Sequence, residues 1–200
     1  VEFNAGVAAM VAAVHQDDVA AYIGNLSGEN AVTIGGEDVV LTTRNTENEE
    51  MSALATQYVY EFMEGLGLDV QYQEWDDTEE EVSGRNVIGE LGGTDAADEI
   101  VLITAHLDDM PDEGPAPGAD DNGSGSAGVM TAAATMAGQN FSRTIRFALF
   151  TGEEYGPLGS AAYAQECSDA GEDIVAVLNM DVMGWDANND GIMYLGLRKK

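Results

Sequence analysis

Four short segments carry side chains that could do chemistry together. They are His106-Leu107-Asp108, the loop Pro117-Gly118-Ala119-Asp120-Asp121-Asn122-Gly123-Ser124-Gly125, the acidic pair Glu153-Glu154 after Gly152, and Asp181 in NMDVMGWD. One imidazole and several carboxylates suit a divalent metal, and a spare carboxylate can take a proton from water beside it. Each piece also has a plain reading. A lone histidine is often structural, Glu153-Glu154 could be surface acid in so acidic a chain, and PGADDNGSG is rich in turn formers. Two features tip the balance. Asp108 stands where it can receive the imidazole's second N–H, as carboxylates behind metal-bound histidines do. No basic residue lies near these acids in sequence, so carboxylates gathered at a buried edge require a cation. His15, beside Gln16 and Asp17, reads as a surface histidine.

The elements that must position these residues are legible from hydrophobic pattern. IVLITA, IRFALF and IVAVLN are apolar on successive residues, the mark of strands covered on both faces. The predicted strands are Val70–Trp75, Asn86–Leu91, Ile100–Ala105, Thr144–Phe150, Ile174–Met180 and Ile192–Leu197. Helices are predicted over 4–24, from a capping box at Thr46 and Glu49 to Gly65 and Gly67, over 124–138 and over 157–168. Strands alternating with helices give an α/β fold, a three-layer α/β/α sandwich on a mainly parallel mixed sheet. The chemical residues then fall at the carboxyl ends of the buried strands, the usual place for a site in an open α/β sheet. Residues 1–200 read as one domain, without internal repeat or linker, and the acidic stretch Asp76–Glu81 as a solvated loop.

Charge bounds the partners. Against 37 acidic residues stand 7 basic ones, giving a formal net charge of -30, and no lysine precedes Lys199. Such a field repels nucleic acid and anionic membrane, attracts cations, and matches a salt-adapted surface or an acidic secreted protein. The expected setting is therefore extracellular or periplasmic, in high salt. There is no apolar run of membrane-spanning length, and Val1 opens the chain without a signal-peptide pattern. The one cysteine, Cys167, cannot form an internal disulfide; it is a buried thiol or pairs elsewhere.

The segments NVIGELGG, ITAHLDD, PGADDNGSGSAGVM, FALFTGEEYGPLGS and NMDVMGW, in this order and spacing, resemble the co-catalytic zinc peptidases that include bacterial leucyl aminopeptidases, aminopeptidase Y and glutamate carboxypeptidases. The resemblance implies a zinc-peptidase (phosphorylase/hydrolase-like) fold and a metal-dependent exopeptidase using two zinc ions and a bridging water on a peptide substrate. It implies that His106 binds one zinc with Asp108 orienting its ring, that Asp120 bridges both zincs, and that the Asp120–Asp121 peptide bond is cis. Glu153 is then the general base, Glu154 a ligand of the second zinc, and Asp181 a ligand of the first. The family's last histidine ligand has no counterpart after His106, so the resemblance implies that the last strands and that ligand lie beyond Lys200, leaving the second site incomplete here. The surplus of carboxylates suits a substrate's free α-amine, hence an aminopeptidase. The competing readings are a single-zinc glutaminyl-cyclase-like acyltransferase, a non-catalytic binding or receptor-type homologue or inactive fragment, and an acidic cation-buffering protein. Side-chain preference and oligomeric state are not readable from these residues.

Overall fold

The computed structural model describes residues 4–111, 117–193 and 195–196. Two short helices, α1 (Ala5–Ala12) and α2 (Gln16–Leu26), are followed by a hairpin of β1 (Val32–Ile34) and β2 (Glu37–Val39) and by α3 (Glu49–Gly65). Then come β3 (Asp69–Asp77), β4 (Val82–Leu91), β5 (Ala96–His106), α4 (Gly123–Met136), β6 (Arg143–Phe150), α5 (Leu158–Ala170) and β7 (Asp173–Asn179). The main sheet has the order β3-β4-β6-β5-β7. β3–β4 and β4–β6 pair antiparallel, β6–β5 and β5–β7 parallel. The sheet is thus mixed, and its parallel half carries the site.

The unbroken apolar runs divide by side-chain alternation between two cores. Ile103 and Ala105 of β5, with Ile145, Phe147 and Leu149 of β6, face one side and pack with Leu26, Val59, Met63 and Met130 from α2, α3 and α4. Their neighbours Leu102, Ala148 and Phe150 face the other side, against Tyr163 and Cys167 of α5. Helices on both faces explain why β5 and β6 lack an apolar–polar alternation, whereas β7, at the sheet edge, is exposed over most of its length and not covered on both faces as its apolar run suggested. Cys167 is buried in the second core, where burial and then its hydrogen bond to Glu172 push its thiol up to about 11.

Several elements differ from the sequence expectation. The helix over 4–24 is two helices, because His15 is extended and a new helix starts on Asp17 and Asp18, acids that favour a helix N-terminus. α1 buries no residue, so no packing enforces continuity across the break. The third helix is capped by Asn48, whose side chain accepts from the Met51 N–H at 3.1 Å, not by Thr46. The β1–β2 hairpin around Gly35-Gly36 was missed, although a Gly-Gly pair between short β-branched runs is its usual signal.

The strand expected at Ile192–Leu197 does not form over its described part. Ile192, Met193, Leu195 and Gly196 are irregular and exposed, while Tyr194 and Leu197 lie outside the described residues. Local carboxylates take the N–H groups a ladder would use: Gly191 donates to Asp186 and Ile192 to Asp190.

Candidate metal centre

Because β5, β6 and β7 are parallel, their carboxyl ends meet at one edge of the sheet. His106 is the last residue of β5 and is only 5% exposed. Asp181 follows the end of β7 by two residues, and Glu153 and Glu154 follow β6 across a turn at Gly152. That turn needs glycine: φ is 77°, and a Cβ would lie 2.5 Å from the Trp75 ring. Trp75 in turn donates to Thr151 Oγ1 at 2.9 Å, so the edge strand β3 braces the turn that carries both glutamates.

Imidazole Nε2 of His106 faces the Asp121 carboxylate at 3.2 Å, Asp181 at 3.6 Å and Glu153 at 3.9 Å. His106, Asp121 and Asp181 form the one group among the described residues whose donor atoms, all within 4.8 Å of one another, could close on a single metal ion. Their chemistry fits: one neutral-capable imidazole and two carboxylates, the latter partly exposed so that a fourth position stays open.

Behind the ring stands Asp108, fully buried. Its oxygens accept from Thr46 Oγ1 at 3.3 Å and from the Glu153 and Glu154 N–H groups at 3.2 Å each. Its distance to His106 Nδ1 is 3.5 Å, long for a hydrogen bond. Nδ1 makes none and is the buried side-chain nitrogen left without a partner among the described residues. The pair is held chiefly by charge at this separation. Burial alone would lower the His106 pKa, but Asp108, and after it Glu153 and Asp181, outweigh it and push it up to about 9. Glu154 is raised to about 7, by burial first and then by the Asp121 charge. Without a cation these acids oppose one another's ionisation.

The loop before α4 differs from the sequence expectation in its cis bond and in which aspartate faces His106. Asp120 is turned away from the imidazole: its Oδ1 accepts from Ser124 Oγ at 2.9 Å and from the Gly184 N–H at 2.8 Å. Asp121 takes the place facing His106, and the cis peptide is Asp121–Asn122, not Asp120–Asp121. The reason lies in the next residue. Asn122 is the N-cap of α4, accepting from the Gly125 N–H at 2.9 Å and donating to the Met180 carbonyl at 3.0 Å, and this fixes which neighbouring acid points to the sheet edge.

Three further residues of the site gave no local signal of belonging to it. Thr46 links Asp108 to the glutamate turn, accepting from the Gly152 N–H at 3.1 Å. Arg44 and Asp109, both buried, pair at 3.3 Å beneath the site. A basic residue is therefore close after all, brought from some sixty positions upstream, but every face of it is occupied by the protein. A cleft of about 400 Å³ opens beside the acids, running from His106, Glu153 and Asp181 down an apolar wall that includes Phe150, Tyr163 and Ile174.

Known proteins share parts of this chain's sequence and its fold. The model of Peptidase family M28 matches residues 86–197. A probable leucine aminopeptidase from Arthroderma otae is 31% identical over 182 residues, covering 86% of this chain and 48% of that protein. Leucine aminopeptidase 2 of Trichophyton equinum is 40% identical over 100 residues, 50% of this chain and 19% of that one. The chain thus spans about half or less of the length of the curated relatives it matches. Among solved structures, LapB from Legionella pneumophila superposes with a TM-score of 0.75 at 20% identity, over 95% of this chain and 49% of that chain. A Zn-dependent exopeptidase from Parabacteroides distasonis gives 0.68 at 20% identity, over 85% and 62%. These last two likenesses are likenesses of fold.

Proposed function

We propose, from the premise that the chain belongs to peptidase family M28, that it is the site-bearing part of a zinc-dependent aminopeptidase. The observation that carries this reading is the single imidazole nitrogen faced by Asp121, Asp181 and Glu153 at a sheet edge. In this reading His106, Asp121 and Asp181 hold one zinc. Glu154, together with Asp121 in the role first expected of Asp120, would hold a second. That second set is short of a normal ligand complement within this chain. Metal held there supplies Lewis acidity that makes water nucleophilic near neutral pH and polarises a carbonyl.

The chain's own residues do the rest. Asp108, buried behind the ring, sets the imidazole's orientation and favours Nε2 as the donor. Glu153 is half-exposed beside His106 and takes the proton from the attacking water, then returns it to the leaving amine. The substrate is a peptide, gripped by its amino end. The carboxylates around the cleft attract an α-ammonium group, whereas a carboxypeptidase needs a cation free to clamp a terminal carboxylate. Arg44 is locked in the interior, and Arg143 and Arg146 lie in β6, away from its glutamate-bearing end, paired with Glu99 and with Glu90 and Glu172.

The test is Glu153→Gln in the full-length protein, assayed on an aminoacyl anilide together with bound zinc. We expect at least a hundredfold loss of turnover with zinc content unchanged. A variant with near-normal turnover would remove Glu153 from the base role. Wild-type protein that cleaves only substrates blocked at the amino end would refute the aminopeptidase assignment.

A further inference from the structure

Arg44 is the largest fully buried side chain of the molecule as described, and nothing in the proposed chemistry uses it. Its guanidinium is a meeting point of segments that are far apart in sequence. Nε donates to the Leu107 carbonyl at 2.6 Å, directly after His106. One terminal nitrogen donates to the Leu26 carbonyl at the end of α2 and to the Pro117 carbonyl, at 2.5 and 3.0 Å. The other donates to the Gly118 carbonyl at 2.9 Å. Asp109 balances the charge at 3.3 Å and also accepts from the Arg44 N–H and from Thr43 Oγ1, at 3.0 and 2.8 Å.

The placement of these carbonyls is the significant point. Leu107 belongs to the segment that presents His106, while Pro117 and Gly118 begin the loop that presents Asp121. Gly118 is packed against this cation: with φ at 46°, a Cβ there would lie 2.7 Å from the Arg44 terminal nitrogen, from Asp109 Cβ and from the Asp121 carbonyl. The Gly118 carbonyl also accepts from the Gly123 N–H at 2.8 Å, closing the loop onto the first turn of α4. Thus one planar, five-donor group spans the seam between the histidine and the aspartate that face each other at 3.2 Å.

We propose that Arg44 is a positioning residue for the metal centre, setting the distance between His106 and Asp121 through its hydrogen bonds to the Leu107, Pro117 and Gly118 carbonyls. The proposal rests on the reading that His106, Asp121 and Asp181 hold a metal. Lysine keeps the charge opposite Asp109 but lacks the planar fork, so it cannot hold carbonyls on two segments at once. Residues that orient ligands from behind typically change metal affinity 10- to 100-fold when altered.

The experiment is a cobalt titration of full-length wild-type, Arg44→Lys and Gly118→Ala proteins, each checked by circular dichroism for folding. Gly118→Ala keeps the guanidinium but sets a methyl against it, Asp109 and the Asp121 carbonyl, so it reads the seam as a whole; should Arg44→Lys fail to fold, Arg44→Gln carries the test. In the folded variants we expect a dissociation constant raised at least about tenfold and an altered cobalt d–d spectrum. A merely structural Arg44 predicts a lower melting temperature with wild-type affinity and spectrum in whatever folds, and that result overturns the proposal. Wild-type protein that takes up no cobalt would refute the metal reading itself, and the proposal with it. Wild-type binding matched by both variants refutes only the positioning role.

Discussion

At the residue scale, the sharpest question is which of two adjacent aspartates meets the metal. The Asp121 carboxylate faces His106 Nε2, while that of Asp120 is consumed by Ser124 and by the Gly184 N–H. Asp121→Ala should therefore abolish stoichiometric zinc binding with little effect on the fold, since its side chain is 60% exposed. Asp120→Ala should keep zinc and cost about 1 kcal/mol in urea unfolding, by releasing the loop after β7 from the start of α4. The reverse pattern, zinc lost only in the Asp120 variant, would return the bridging role to Asp120. Sequence reasoning singled out His106, Asp108, Glu153 and Asp181 as candidates because each follows an apolar strand, where a polar residue is conspicuous, and the fold brings the four together. It put Asp120 where the structure has Asp121 facing His106, because a turn with two consecutive acids hides which one points inward, and the Asn122 cap that decides is visible only once its partner, Met180, is in place. Arg44 and Thr46 were illegible for a related reason. Their partners lie about sixty to a hundred residues away; nothing local marks Arg44, and Thr46 reads locally only as a helix cap.

At the scale of elements, the strands that carry the site are tied together at their opposite end by Arg146. On β6 it donates to Glu90 of β4 at 2.7 Å and grips Glu172, between α5 and β7, through two nitrogens at 2.5 and 2.8 Å. This bidentate bond, ahead of the opposing effect of burial, holds the Glu172 carboxyl below its ordinary value. The sign follows: a depressed folded pKa adds stability that is complete above the unfolded value, about 4.3, and is lost as pH falls through the folded value. Glu172→Gln should thus be destabilised by about 1 kcal/mol at pH 7, allowing for partial exposure. Its deficit against wild type should shrink as pH falls below about 4, where wild type loses the same term. Urea midpoints from pH 7 to 3 measure this, and a constant deficit across that range would show that the ion pair is not its source. The centre of the sheet was legible because the doubly covered strands β5 and β6 leave an unmistakable apolar run, a run that the exposed edge strand β7 shares without being covered. The edges were less so. Trp75's β3 is longer at both ends than its apolar residues indicated, since pairing with β4 along Asp69–Asp77 orders acidic residues that pattern alone assigns to a loop.

For the whole molecule, the dominant quantity is the net charge of -30. The four arginines among the described residues do little to offset it at long range. Arg44 and Asp109 cancel internally, Arg143 and Arg146 pair with neighbouring glutamates, and Arg85 lies 3.9 Å over the Tyr72 ring. The remaining carboxylates repel one another and favour the expanded chain, a cost that mobile ions reduce. At 0.1 M salt the screening length is about 10 Å, still long enough for neighbouring surface acids to interact, and at 1 M it is about 3 Å. We propose on this ground that the protein is adapted to a high-salt setting. Unfolding should be followed in urea, which adds no ions, at NaCl concentrations from 0.1 to 2 M and with a chelator present so that metal uptake does not contribute. Stability should climb by about 1–2 kcal/mol over that range and level off once the screening length falls below the spacing of the surface acids. Replacing NaCl with an equal osmolality of sucrose separates screening from the general stabilisation of compact states by excluded solutes. A midpoint flat in salt, or one raised equally by sucrose, would mean that the acidic surface is tolerated at low ionic strength. The composition would then carry no information about where the protein works.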